Sequence, residues 1–319
     1  MVKRIRLVIL QRWNKLRCTR TKSRLSNDFA SFLYFYITFA VAIGIAYFVG
    51  QYLPAIPTSF IIAETGEVVP LDFDIAPLVE VVMLGPIFCV TSWKANNMLK
   101  ANIPVPDDDY GLRRLLNSLN ALYIGCITIV MAGGALHGMA NLIHNMLKAE
   151  GLTSNPVYYT AYFWDEILSH YMIPGGYFGM LFINAALDSR VDHACPPASP
   201  GKSRSGKMEL ARGEAIVTII MAIGLGFVWT YALLEGQAAF VYWFVFLGCA
   251  CVIISLKIRA IKAIKNKKAS KWHFSIWKNP YVLLALVFCI VNAILVIIWA
   301  AVFHLKPFPP FLYQPSEVC

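Results

Sequence analysis

Charge is what this chain has least of. Only 14% of its 319 residues are Asp, Glu, Lys or Arg, and 58% are hydrophobic. Soluble domains carry about a quarter charged residues, so a soluble globular enzyme is a poor fit. Familiar catalytic signatures are missing too. No Gly-rich phosphate loop, GxSxG elbow or HExxH motif occurs, and no internal repeat is visible. Among the eight cysteines (Cys18, Cys89, Cys126, Cys195, Cys249, Cys251, Cys289 and Cys319) no two form a CxxC pair. Cys249 and Cys251 stand two apart on a predicted helix and point to different faces. Packing thiols are therefore expected, not disulfides or zinc knuckles. No soluble segment is long enough for a core of its own, so one domain is expected.

What the chain does have is long apolar runs with the charges between them, the pattern of membrane-spanning helices. The runs predict an all-α integral membrane protein, a seven-helix bundle over residues 29–303. The spans are 29–50, 75–93, 115–147, 157–187, 214–234, 238–256 and 280–303. The net charge of +10 does not point to nucleic acid, because the basic residues lie in the loops. Of the 28 Lys and Arg, only Lys148 and Lys306 fall in the outer segments when the N-terminus is cytoplasmic. That asymmetry predicts an N-terminus inside and a C-terminus outside. The outer loop 51–74 is acidic instead, with Glu64, Glu67, Asp72 and Asp74. The expected location is the plasma membrane or an organelle membrane.

Residues 1–28 are strongly basic. Val2, Ile5, Val8 or Ile9, Trp13 and Leu16 can share one helical face, which suits an amphipathic segment on anionic lipids. A basic tail that only sets orientation and an Arg-rich mitochondrial presequence are the other readings. The topogenic one is favoured, and no cleavable signal peptide is expected. In the loops, Asp107, Asp108 and Asp109 follow Pro106 and read as a helix start before a metal site. Residues 196–207 read as a flexible linker, and the 257–271 run as a basic amphipathic helix with Trp272 and Trp277 as anchors. Residues 304–319 form a Pro-rich extracytoplasmic tail.

The polar residues concentrate in one stretch, GGALHGMANLIHNMLKAEGLTSNPVYYTAYFWDEILSHYMIPGG, from Gly133 to Gly176. Spans three and four are long enough to need tilting, protrusion or a break, expected at Pro174-Gly175-Gly176 with a loosening at Gly133-Gly134. His137, Asn141 and His144 follow i, i+4, i+7 on span three. Glu166 and His170 follow i, i+4 on span four, with Tyr162 extending the stripe and Asp165 turned aside by about 100°. At 1.5 Å per residue His144 and His137 lie ~5 and ~15 Å below the outer boundary, and Asp165, Glu166 and His170 ~12 to ~20 Å below it. A short connection makes the two helices neighbours. Glu80, Glu235 and His304 also lie near outer span ends, whereas His193 and His273 fall in cytoplasmic segments.

Ionisable groups inside a membrane are costly and usually face a cavity or one another. Histidine with carboxylate suits zinc, iron or copper. In the first reading His137, His144 and His170 are ligands and Glu166 is a ligand or general base. Asp165 is a partner behind the ligands, or with Glu166 part of the catalytic pair, in an enzyme acting on a lipidic or apolar substrate. Other readings are a cation- or proton-coupled transporter, a haem or quinone redox subunit, and a scaffold whose hairpin polarity is structural. In the last of these Asn141 and the Gly134-xxx-Gly138 pair are helix-packing devices. Seven spans with an intramembrane His/carboxylate cluster are similar to the adipoQ-type receptors and alkaline-ceramidase-like zinc hydrolases. That resemblance implies hydrolysis of lipid amides. The last span, YVLLALVFCIVNAILVIIWAAVFH, lacks that family's HxxxH pair, so no residue role is carried over.

Overall fold

A computed structural model describes residues 56–61, 68–73, 79, 81–101, 103, 110–189, 212–265 and 279–302. Among them the fold is helical apart from one antiparallel hairpin, β1 (Ile56–Ile61) and β2 (Val68–Phe73), in which Ile56 pairs with Phe73 and Ile61 with Val68. The hairpin lies within the loop read from sequence as an acidic connector, and it departs from an all-α fold. Its β-branched and aromatic residues are the types that suit strands.

A π-helical segment (Met83–Ile87) leads into α1 (Phe88–Lys100). Next come α2 (Tyr110–Ala149), α3 (Pro156–Tyr162), a π-helical stretch (Phe163–Ser169) and α4 (His170–Asp188). The remaining elements are α5 (Arg212–Glu235), α6 (Ala239–Lys265) and α7 (Pro280–Val302). Three helices, Tyr110–Ala149, Glu214–Leu234 and Pro280–Val302, are long and apolar enough to cross a membrane, which marks a membrane protein.

Local chemistry sets the helix ends. Asn155 accepts a hydrogen bond from the Val157 N–H at 2.9 Å, and Pro156 takes the first helical position, where a missing N–H costs nothing. Asn279 and Pro280 repeat this order before α7, tied to the end of α4. The Asp188 carboxylate accepts the Tyr281 N–H at 2.9 Å, and Asn279 donates to the Asp188 carbonyl at 2.6 Å. After α2 the chain reverses at Gly151, whose φ of +70° belongs to the left-handed region that glycine tolerates.

Packing centres on α7, whose apolar window is 56% buried against 22% for α2. α5, α6 and α4 all pack on α7, and α2 lies along α4. Between lipid-like surfaces close packing takes over from the hydrophobic effect as the main attraction. At Gly176 a Cβ would stand 2.6 Å from both the Cys126 carbonyl oxygen and Val130 Cγ2, so only glycine lets α4 approach α2 this closely. The core of α4 is aromatic. Phe178 packs on Phe246 at 4.5 Å and on Phe288 at 5.1 Å between ring centres, and Tyr177 stacks on Trp229 at 4.9 Å. Cys89 and Cys289 are buried, and the five described cysteines, Cys89, Cys126, Cys249, Cys251 and Cys289, are all free thiols.

The breaks differ from the expected ones. α2 runs unbroken through Gly133-Gly134, and both glycines are buried. α4 runs unbroken through Pro174-Gly175-Gly176. Pro174 has no N–H to offer the carbonyl of His170, one turn earlier. The irregularity sits upstream, in the π-helical stretch that ends where His170 begins. Span one (29–50), the segments 1–28 and 304–319, Asp107 to Asp109, the linker 196–207, Trp272, Trp277, Glu80, His193, His273, His304, Cys18, Cys195, Cys319 and the side chain of Glu235 lie outside the described residues.

Candidate functional site

α2 and the α3–α4 arm bring His137, His144, Asp165 and His170 together. A π-helical turn holds one residue more than an α-turn and places residues five apart on one face. Asp165 therefore shares a face with His170, and Ser169 Oγ donates to the Asp165 carbonyl. This corrects the i, i+4 geometry assumed from sequence. Asp165, not Glu166, is the carboxylate turned fully inward, at 2% exposure, and Glu166 is half-buried.

The Asp165 carboxylate stands between two imidazoles. Its Oδ1 is 3.1 Å from His137 Nδ1, a close charge contact more than an aligned hydrogen bond, and its Oδ2 is 3.4 Å from His144 Nδ1. A carboxylate accepts, so the hydrogen bond to Oδ2 puts a proton on His144 Nδ1. His144 Nε2 is then the acceptor for the Tyr158 hydroxyl at 3.1 Å, and Tyr162 meets the same ring edge-on at 5.4 Å. His170 Nδ1 lies 3.3 Å from the Ala232 carbonyl of α5, which can only accept, so that nitrogen is protonated as well.

With Nδ1 protonated, His170 Nε2 carries a lone pair. His137 Nε2 and His170 Nε2 face each other at 3.3 Å, with ring centres 5.1 Å apart. Two arrangements suit this contact: His137 Nε2–H donates to the His170 Nε2 lone pair, or both lone pairs point at a cation between them. Two ligands bound at ~2.0 Å to one tetrahedral metal ion stand ~3.3 Å apart. The far nitrogens lie 3.1 Å from a carboxylate and 3.3 Å from a backbone carbonyl, the groups usual behind metal-bound histidines. A second group overlaps this one: His144, Asp165 and Glu166 each offer a ligand atom, all within 4.8 Å of one another. The donor chemistry of both groups fits zinc, iron or copper.

The four-residue cage expected from sequence is thus divided. His137 and His170 meet through Nε2, while His144 and Glu166 gather on the other side of Asp165. Asn141 is not drawn in: its side-chain oxygen accepts from Asn145 at 2.6 Å on the exposed side of α2. Sequence reasoning missed Tyr158, Ala232 and Gly236. A Cβ on Gly236 would collide with the His170 ring and its Cβ. Tyr158 stands four residues before Tyr162 on the same helical stripe and could have been read from that spacing. A glycine closing a helix reads as an ordinary cap, and a backbone carbonyl leaves no mark in a sequence.

An apolar helical bundle with a buried His/Asp group able to hold a metal ion defines a membrane protein with a polar site at its α2–α4 hairpin. No family model matches the chain, and neither a curated protein nor a solved structure is similar to it.

Proposed function

We propose that the protein spans the membrane seven times, with its N-terminus cytoplasmic and its C-terminus outside. In this reading it binds a divalent transition metal (zinc, iron or copper) at the outer half of the α2–α4 hairpin, as a metal-dependent membrane enzyme acting on a lipidic or apolar substrate. His137 and His170 are ligands through Nε2. His144, with its two ring nitrogens engaged by Asp165 and Tyr158, supports the Asp165 carboxylate that orients the imidazoles, and Glu166 lies beside them. The reading is carried by the meeting of two Nε2 atoms at 3.3 Å with an acceptor beside each far nitrogen. A metal with an open position supplies a Lewis acid that activates water or polarises a carbonyl. In this reading Glu166, half-buried beside His144 and Asp165, takes a proton as general base. The bilayer brings apolar substrates to the same depth.

Elemental analysis of the full-length protein, purified in detergent without chelator, tests this. About one transition-metal ion per chain is expected, falling to background in His137→Ala and His170→Ala. Wild-type protein that holds no metal even after incubation with zinc, iron and copper salts would rule the metal reading out.

A second reading, a proton-coupled transporter, has one observation in its favour. Tyr158, His144, Asp165, His137 and His170 form an unbroken run with no gap above 3.4 Å. It predicts proton-driven uptake into liposomes that His144→Ala abolishes, in protein free of metal.

A further inference from the structure

The corner between α5 and α6 does more than join two helices. α5 ends in a 5→2 and 6→1 pattern of backbone hydrogen bonds: Gln237 N–H to the Leu234 carbonyl at 3.1 Å and Ala238 N–H to the Leu233 carbonyl at 2.8 Å. Such an ending places one residue in the left-handed region, normally a glycine. Here that residue is Gln237, at φ +54°, although Gly236 stands immediately before it. The glycine is one position early for its usual conformational task.

Contact with His170 explains the offset. An added Cβ on Gly236 would run into His170 Cβ, Cγ and Nδ1. These are rigidly placed atoms, not the far end of a flexible side chain. In the same turn the Ala232 carbonyl accepts both the Gly236 N–H at 3.1 Å and His170 Nδ1–H at 3.3 Å. The carbonyls at a helix C-terminus carry the negative end of its dipole. An imidazole whose Nδ1–H rests there keeps its Nε2 lone pair free for a ligand.

We propose that this corner is a backbone seat for His170. Ala232 and Gly236 act as positioning groups: they hold His170 with its Nδ1 proton on the carbonyl and its Nε2 turned to His137. The seat rests on the metal reading above for what Nε2 binds, but not for the tautomer. It makes the site a three-helix construction to which α5 contributes backbone groups.

The test has two arms, both on full-length protein in lipid nanodiscs. In the first, nitrogen-15 NMR of histidine-labelled, metal-free protein, with His170 assigned by its loss in His170→Gln, is expected to show the Nδ1–H tautomer. An Nε2–H tautomer overturns the seat. In the second, cobalt(II) is the probe. Gly236→Ala should weaken its binding ~10–100-fold, the usual effect of disturbing a group behind a ligand, and alter its visible d–d spectrum. Gln237→Gly, in the same turn but away from His170, should keep both. Wild-type affinity and spectrum in folded Gly236→Ala, or an equal loss in Gln237→Gly, overturns the proposal. If wild-type protein takes up no cobalt, the metal reading fails and the tautomer alone decides the seat. The tautomer likewise decides it if Gly236→Ala does not fold.

Discussion

Asp165 shows how much can rest on one buried carboxylate. Its two oxygens face the Nδ1 atoms of His137 and His144, and without a charge there both rings lose what fixes their orientation. Asp165→Asn keeps the shape but offers only one acceptor oxygen. Metal affinity measured by calorimetry should fall ~10–100-fold, while the helical circular-dichroism signal stays. Unchanged affinity would show that Asp165 does not orient the imidazoles. Gln237 offers the opposite case, a residue in a conformation that suits glycine better. Gln237→Gly should stabilise the protein by ~1 kcal/mol, the typical left-handed penalty of a side chain. A thermal midpoint in detergent that fails to rise would show that Gln237 carries no such strain. His137, His144, Asp165 and His170 were legible in the sequence, since ionisable groups stand out in an apolar stretch. The central position of Asp165 was not, because it depends on a π-helical turn, and no residue type announces one.

At the scale of elements, the site depends on how closely α2 and α4 approach. Gly176 sets that approach through its contact with the Cys126 carbonyl and Val130. Gly176→Leu should push the helices apart, separate His137 from His170 and abolish metal binding without touching a ligand. Its thermal midpoint should drop as well, since overpacking typically costs 1–3 kcal/mol, a ~2 kcal/mol effect. Retention of metal in a folded Gly176→Leu protein would mean that the site tolerates a wider gap than the Nε2 contact allows. The long helices were readable from apolar run lengths, with ends fixed by Asn-Pro pairs at 155–156 and 279–280. The irregularity in the fourth span was misplaced: Pro174 signals that a hydrogen bond is lost, not where the helix will absorb the loss.

At the scale of the whole molecule, charge distribution carries the orientation. Lys and Arg crowd into alternate segments, so a reporter fused after Cys319 should be accessible from outside intact cells, and one fused before Met1 should not. Equal protection of both ends would contradict seven spans. In the proposed orientation the connection between α2 and α3 lies on the outer face, with the hairpin site beneath it. Helices packed on α7 hold that hairpin from behind, and the α5 terminus closes it at Ala232 and Gly236.

The pairing of His137 with His170 around a cation is tested most directly by X-ray absorption at the metal edge of protein loaded with one equivalent of zinc. The expected spectrum contains at least two imidazole nitrogens at ~2.0 Å, with imidazole multiple scattering reduced in His170→Ala. A shell of oxygen ligands alone, unchanged by that substitution, would contradict it.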